Sequence, residues 1–351
     1  MAKNRVKYLH IFTYTLFIDS YIDFINKNFD SKDHLFLILT DVGNVNDKKN
    51  VKKISKNFSS LLILIKEMYK CKKIFLHGLI HYQLLLILFF QPWLLKKCNW
   101  VVLGIDLYLY KLRKKSLISD LYEIVRRFII KNLYGIVAFI KEDYELAKKW
   151  YKTKAKHYYS FLYPNPIYRE INLPKINNKN NKYIYIQVGN AADPALNHLE
   201  VFQKLEKYKN KNIKIVCPLA YGYNNYRNKI IQKGVETFGN KFYSITKLLS
   251  FGEYSELLAT VDIAIFNFQG QQAGYNILTL IGLGKKVYIN NNTTFWKLCS
   301  NFGLKVYNYN NLNGLLQKIP NEIKFKNIDI IKNYFTEKKL KDDWHKIFQD
   351  K

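Results

Sequence analysis

The sequence predicts an α/β protein built as two Rossmann-like, doubly wound domains. Three observations carry this. The chain has 351 residues, more than one hydrophobic core usually organises. Apolar runs of strand length alternate with helical stretches through both halves, and continuous apolar strands suit parallel sheets buried on both faces. A break rich in proline, asparagine and lysine, YPNPIYREINLPKINNKNNK at 163–182, separates the halves. The expected division is a first domain over 1–165, a linker over 166–182, a second domain over 183–325 and a C-terminal helix over 326–351.

In the first half, VKYLHIF at 6–12, HLFLILT at 34–40, SLLILI at 60–65, KIFLHG at 73–78 and WVVLGID at 100–106 read as strands. The stretch from Ile18 to Phe29 reads as a helix. A longer helix at about 116–133 precedes the strand GIVAFI at 135–140 and a helix from Lys141 to Tyr151. The second half restarts with the strand KYIYIQVG, helix from Asn197 to Lys207, strand NIKIVCPL at 212–219 and a helix near 224–233. A short strand near 242–245, the helix EYSELLATV and the strand DIAIFNF follow. A helix from Tyr275 to Leu283 runs into the strand KKVYIN. One last helix at about 327–349 carries Ile330, Tyr334, Leu340, Trp344 and Ile347 at helical spacing. Two such domains on one linker are expected to leave a cleft, with ligands outside the carboxyl ends of the strands.

Composition narrows the function. The formal charge is +29, but only six of the 56 basic residues are arginine, and lysine is abundant alongside asparagine, isoleucine and tyrosine. That joint bias points to an AT-rich genome. The charge favours anionic partners such as nucleotides or lipid phosphates. No zinc-finger spacing, RNP-like signature or basic zipper accompanies it, so no nucleic acid is expected. Cys71, Cys98, Cys217 and Cys299 form no CxxC pair, which fits a reducing compartment. MAKNRVKYLHIFTYTLFIDS lacks a signal-peptide core, and LLLILFFQPWLL at 84–95 is too short to span a bilayer, so a soluble or peripheral protein is expected.

The strand ends carry the chemistry. In QVGNAADPALNH at 187–198, Gly189 and Asn190 make a turn, and Asp193 with Pro194 can open a helix as cap and first residue. A glycine turn leading into a helix start offers free N–H groups to a phosphate. An ordinary βα turn would look the same. FQGQQAGYNILTLIGLG at 268–284 repeats the device. Gln271 and Gln272 donate amide hydrogens without adding charge, and Gly274 allows close approach, so this turn is the candidate diphosphate holder. A polar turn facing solvent is the alternative. In PLAYGYNN at 218–225, Tyr221 can wall a base or sugar. In the first half, FLHGLIH and LGIDLY place His77 and Asp106 after strands, as general-base candidates. His77 reads equally as a core histidine. No DxD pair or metal-spaced cluster occurs, so neither metal nor cofactor is expected.

Residues 110–134 are basic and amphipathic. They read either as a packed helix with a solvated basic side or as a dock for anionic lipid heads.

Taken together, FLHG, GIDLY, VGNAADPALNH, PLAYG, FNFQGQQAGYNILTLIGLG and TTFW (293–296) resemble the bacterial 4-acetamido-4,6-dideoxygalactose (Fuc4NAc) transferase family, also described as 4-α-L-fucosyltransferases. The resemblance runs over about 70–345 with the motifs in the same order. The glutamine pair with its glycine and the later Phe-Trp are its most specific parts. It departs at Gly270, where the family pattern has a basic residue, and at Leu103, where it has tryptophan. The resemblance implies a GT-B glycosyltransferase, with two Rossmann-like domains facing a central cleft. It implies a dTDP-sugar donor, a polyprenyl-diphosphate-linked or other lipid-linked glycan acceptor, and peripheral attachment at the cytoplasmic face of the inner membrane. By that resemblance Gly189, Asn190, Asp193 and His198 fall in the first donor loop, and Gln271, Gln272 and Gly274 in the second. His77, Gly78, Asp106 and Tyr108 fall on the acceptor side. The competing readings are a non-catalytic protein that binds anions or nucleic acid, and a nucleotide-sugar epimerase of the same fold.

Overall fold

The computed structural model describes residues 6–13, 18–39, 48–55, 57–169, 183–268, 270 and 272–350. The chain divides into two compact units, one of Met1–Asn165 with Glu337–Lys351 and one of Pro166–Thr336. Strands and helices are numbered in chain order.

In unit 1, strands β1 (Tyr8–Phe12), β2 (His34–Ile38), β3 (Val51–Lys53), β4 (Lys73–His77), β5 (Cys98–Val101), β6 (Gly135–Ala138) and β7 (Lys156–Tyr159) form one sheet. Its order is β3-β2-β1-β4-β5-β6-β7, and every neighbour pair is parallel. Every residue of β2, β5 and β6 is buried, and apart from His34 and Asn99 these strands carry no polar side chain. The order reverses between β1 and β4, so the carboxyl ends of those strands flank the topological switch point.

Helices α1 (Ile18–Asn28), α2 (Phe58–Lys70), α3 (Tyr82–Phe90), α4 (Ile105–Leu112), α5 (Leu117–Lys131) and α6 (Lys141–Tyr151) connect these strands. Two expectations change here. The apolar run at 60–65 lies in α2 and is not a strand: the Asn57 side chain caps the helix by accepting from the Ser60 N–H, and only Leu64 and Met68 of α2 are buried. A short apolar run carries no periodicity that separates strand from buried helix. The strand expected at 100–106 stops at Val101, because Gly104 (φ +91°) turns the chain into α4.

Unit 2 repeats the plan with β8 (Ile184–Val188), β9 (Ile213–Pro218), β10 (Phe242–Ile245), β11 (Ile263–Phe266), β12 (Lys286–Ile289) and β13 (Tyr307–Asn308). The order is β10-β9-β8-β11-β12-β13, again parallel, with the switch point between β8 and β11. Its helices are α7 (His198–Leu205), α8 (Asn224–Phe238), α9 (Phe251–Thr260), α10 (Gly274–Gly282), α11 (Thr294–Asn301) and α12 (Asn321–Tyr334).

The single terminal helix expected from the sequence is two. α12 ends at Tyr334, where the wholly buried Phe335 packs its ring near Phe302 and Tyr334. A separate helix, α13 (Glu337–Gln349), belongs to unit 1. There Trp344 donates its indole N–H to the Leu162 carbonyl (3.0 Å), and Phe348 stacks on Tyr8. The spacing of apolar anchors continued across the break, which hid it.

Candidate active site

The site of unit 2 is assembled at the carboxyl ends of β8, β9 and β11. Gly189 follows β8 with φ +65°, and its N–H donates to the Ile265 carbonyl of β11 (3.0 Å). A Cβ at this position would lie 2.4 Å from His198 Nε2, so the turn and the first residue of α7 meet at van der Waals limits. His198 is wholly buried. Its backbone N–H and its Nδ1 both lie 3.3 Å from the Tyr226 hydroxyl. Burial pulls the imidazole pKa down to about 4, so the ring is neutral near pH 7. Asn190 donates its amide to the Tyr221 hydroxyl (2.8 Å).

A backbone bridge holds the β8 and β9 loops together. Ala192 N–H donates to the Tyr221 carbonyl (2.7 Å), and Tyr223 N–H donates to the Ala192 carbonyl (2.8 Å). Gly222 (φ +114°) is required here, since a Cβ would stand 2.4 Å from the Ala192 oxygen. Asp193 caps the short 3₁₀ turn Pro194–Leu196 through the Ala195 N–H, as its position before a proline predicts. Its second oxygen accepts from the Gln272 amide (3.2 Å), which ties the first loop to the second.

The structure therefore brings Gly189, Asn190, Asp193, His198, Tyr221 and Gln272 into one set of contacts. Gly274 opens α10 behind Ala273, which is left-handed (φ 57°) and supplies no side-chain cap. A Cβ on Gly274 would stand 3.0 Å from the Phe295 ring. Gln271 lies outside the described residues. One detail differs from the sequence expectation: the second loop carries no carboxylate of its own, yet that of Asp193 reaches Gln272 from the first loop. Three buried polar atoms of these loops, Asn190 Oδ1, His198 Nε2 and Gln272 Oε1, have no hydrogen-bond partner among the described residues. Buried polar atoms are rarely left so without a ligand or water to meet them.

Sequence reasoning missed two supports. The Asn267 side-chain amide donates to Glu200 (2.9 Å), while the Asn267 backbone carbonyl accepts from the Asn197 side chain (2.9 Å). Tyr254 donates to Asn276 in the first turn of α10 (2.5 Å). The only hint of Asn267 was a polar residue ending an apolar strand.

The motif residues of unit 1 are arranged differently. Asp106 was expected at an open strand end; it is wholly buried in the first turn of α4. Its carboxylate accepts from the Trp100 indole (2.6 Å) and from the N–H groups of Leu79 (3.2 Å), Leu103 (3.0 Å) and Leu107 (3.0 Å). Burial raises its pKa, while the Trp100 bond and the Arg126 charge act against that rise. Arg126, also buried, donates to the Leu79 carbonyl (3.1 Å), Glu123 (2.7 Å), the Tyr151 hydroxyl (3.1 Å) and the Asp106 carbonyl. The carboxylate and guanidinium thus lock the turn after β4 to α4 and α5.

His77 is wholly buried as well, which is its core-histidine reading. Its Nδ1 meets the Tyr163 hydroxyl (2.8 Å) and its Nε2 meets His10 (3.3 Å), which in turn meets His34 (3.1 Å). Burial holds its pKa well below the ordinary value. Gly78 (φ +83°) packs under the Thr13 hydroxyl, and Tyr108 donates to Asp143 (3.2 Å). The sequence expects a general base at Asp106 or His77; both stand beneath the surface, with four hydrogen bonds donated to the Asp106 carboxylate and both His77 ring nitrogens within hydrogen-bond distance of a neighbour. Among the described residues, no group of three His, Cys, Asp or Glu side chains could hold a metal ion.

Comparison with known proteins agrees with this architecture. A glycosyltransferase from Rickettsia africae superposes with a TM-score of 0.69 at 14% identity, over 99% of this chain and 98% of that one. HepE from Anabaena, solved with UDP and glucose, gives a TM-score of 0.72 at 10% identity, over 97% and 99%. WaaG, a glycosyltransferase involved in lipopolysaccharide biosynthesis, gives 0.66 at 12% identity, over 98% and 100%. These likenesses show the fold, the two-domain glycosyltransferase architecture called GT-B. The model of 4-α-L-fucosyltransferases, glycosyl transferase group 56, matches residues 22–350, well beyond the span of the quoted motifs. The chain belongs to that glycosyltransferase family.

Proposed function

We propose that this enzyme binds a nucleoside-diphosphate sugar at the switch point of unit 2. The donor in this reading is a dTDP-linked deoxyamino sugar of the Fuc4NAc type. The acceptor is a lipid-linked glycan carried on polyprenyl diphosphate, or a related surface glycan, at the cytoplasmic face of the inner membrane. One observation carries the reading: Asn190 Oδ1, His198 Nε2 and Gln272 Oε1 are buried without partners among the described residues, in loops that converge before a helix start with no side-chain cap. The structural likeness to HepE, solved with UDP and glucose, agrees with it.

The chemistry follows from these groups. The acceptor hydroxyl bonds to the anomeric carbon as the bond from that carbon to the diphosphate oxygen breaks. The hydroxyl proton passes to a base, and charge grows on the departing diphosphate. The N–H groups opening α10 face that charge, and no cation takes part. The Gln272 amide is already given to Asp193, so Gln272 Oε1 and Asn190 Oδ1 are acceptors that suit hydroxyls of the sugar or ribose, or an N–H of the base, rather than the diphosphate. Tyr226 accepts from the His198 backbone N–H, so its own proton can go to Nδ1 and leave Nε2 as a neutral donor toward the donor's oxygens. Tyr221, held by Asn190, walls the sugar or base. Asp106, or His77, is the base in this reading and takes the acceptor's proton; as folded, the Asp106 carboxylate also fixes Leu79 and the start of α4.

Thermal-shift measurement against dTDP-, UDP- and GDP-sugars tests the reading. A ligand at a hundred times its Kd stabilises the folded form by about 2.7 kcal/mol, which raises Tm by several degrees. A dTDP-sugar is expected to give that shift, and Asn190→Ala and Gln272→Ala to shrink it. Sugar transfer is expected to persist in EDTA. If no nucleotide sugar at millimolar concentration moves Tm, the reading fails.

A further inference from the structure

We infer that unit 1 docks on an anionic lipid bilayer through the outer faces of α3 and α5. The inference stands on the surface of unit 1 alone and does not depend on which sugar is transferred.

α5 is built inside out for a helix facing water. Leu117, Ile118, Leu121 and Ile124 are 84%, 82%, 64% and 59% exposed, while Glu123 and Arg126 on the opposite side are 2% and 0% exposed. A surface helix of a soluble domain turns its apolar stripe to the core. Here the core side carries the ion pair that locks the Asp106 turn, and Ile129 and Ile130 are buried only at the end of the helix, so the apolar stripe of its earlier turns is left outside. The arrangement continues on α3. Tyr122 of α5 donates to the Ile80 carbonyl just before α3, and Phe128 meets Phe89 near its end (5.3 Å between rings). The two helices therefore run side by side in the same direction. Tyr82, Leu86 and Phe90 are exposed along α3, and Trp93 follows them.

An apolar face of this size on one unit marks an interaction surface. Its surroundings choose the partner. From Leu107 to Ser119 the sequence has Lys111, Arg113, Lys114 and Lys115 and no carboxylate. Lys111, Lys114, Lys115, Arg127 and Lys131 are all exposed. Asp120, next along α5, is paired with Arg113 (2.5 Å), and Glu123 is buried against Arg126. Apolar residues bordered by cations, with the nearby carboxylates neutralised, match the boundary between acyl chains and anionic headgroups. A second copy of this chain would bring the same positive border against itself. No described helix is long and apolar enough to cross a membrane, so the contact lies in the plane of the surface.

Flotation of the full chain with phosphatidylcholine vesicles, with and without 30% phosphatidylglycerol, is the test. Binding is expected only to the anionic vesicles, falling steeply as salt rises. Leu117→Glu with Leu121→Glu should lower it at least about tenfold, and Lys114→Glu with Lys115→Glu by a similar factor. All four positions are solvent-exposed, so far-UV circular dichroism and Tm are expected to stay at the parent values. Absence of binding to anionic vesicles would overturn the inference, as would binding that ignores both double variants. So would a dimer in light scattering that the leucine variants dissociate.

Discussion

At the switch point of unit 1 the chain gathers His77, Gly78 and Asp106; at that of unit 2 it gathers Gly189, Asn190 and His198. The sheets share their topology, and each edge has a left-handed glycine pressed against a neighbouring side chain. The polar groups are treated oppositely. In unit 1 the Asp106 carboxylate accepts four hydrogen bonds, and both nitrogens of His77 are engaged. In unit 2 the side chains of Asn190, His198 and Gln272 each keep one buried atom unmatched among the described residues. A saturated edge is a scaffold; an edge with unmatched buried groups has its geometry prepared for something else. The outer surfaces differ too. Unit 1 exposes continuous apolar stripes on neighbouring helices, whereas the large exposed hydrophobics of unit 2, such as Tyr223, Leu248 and Phe325, are scattered.

The contrast can be broken most forcefully at Arg126. Removing one partner of a buried ion pair leaves the other charge stranded, at about 3–5 kcal/mol. Arg126→Ala is expected to destabilise unit 1 by that amount in urea unfolding, while nucleotide-induced protection of unit 2 from proteolysis survives. If activity is lost with stability unchanged, Arg126 acts in chemistry rather than in structure.

Acid comes next. His198 and His34 have folded-state pKa values near 4, lowered first by burial. Between pH 6.5 and 4 the unfolded chain binds protons that the folded chain refuses. Stability therefore rises with pH across that window and is fully present above it. Chemical unfolding from pH 4 to 7 should show this slope. His198→Gln should flatten it for unit 2 and leave the part due to unit 1.

Gly189→Ala is expected to have a smaller effect. It places a methyl 2.4 Å from His198 Nε2 at a positive φ, so a loss of about 1–3 kcal/mol is expected, together with loss of nucleotide binding. Pairing it with His198→Ala should recover part of the stability and none of the binding. Smallest is Tyr221→Phe. It deletes the acceptor of the Asn190 amide and should weaken donor binding by about 1 kcal/mol, measured by calorimetry, with Tm almost unchanged.

Much of this was legible in the residues. The alternation of runs gave both sheets, because parallel strands buried on both faces have little polar interruption. Asp193 before Pro194 announced its cap. A glycine at a strand end marked the turn at Gly189. What stayed hidden depends on distance in three dimensions. The link from Asp193 to Gln272 spans 79 residues, and nothing local couples them. Asp106 looked like a site aspartate because the donors that saturate it, Trp100, Leu79 and the start of α4, could not be placed from spacing. Residues 60–65 misled because helix and strand share the same apolar letters over so short a run. The stripe of α5 was visible, but which side faced the core was decided by Glu123 and Arg126.

The return of α13 to unit 1 has a bearing on biosynthesis. Trp344 and Phe348 roof the buried aromatic cluster around His10, so the domain begun first at the ribosome lacks a wall until residues 337–351 emerge. At about 5–20 residues per second, unit 2 has its whole sequence available while its elder neighbour waits roughly 10–40 seconds for completion. Nascent unit 1 spends that interval with a greasy, histidine-lined flank uncovered, which makes it the natural client of a holding chaperone.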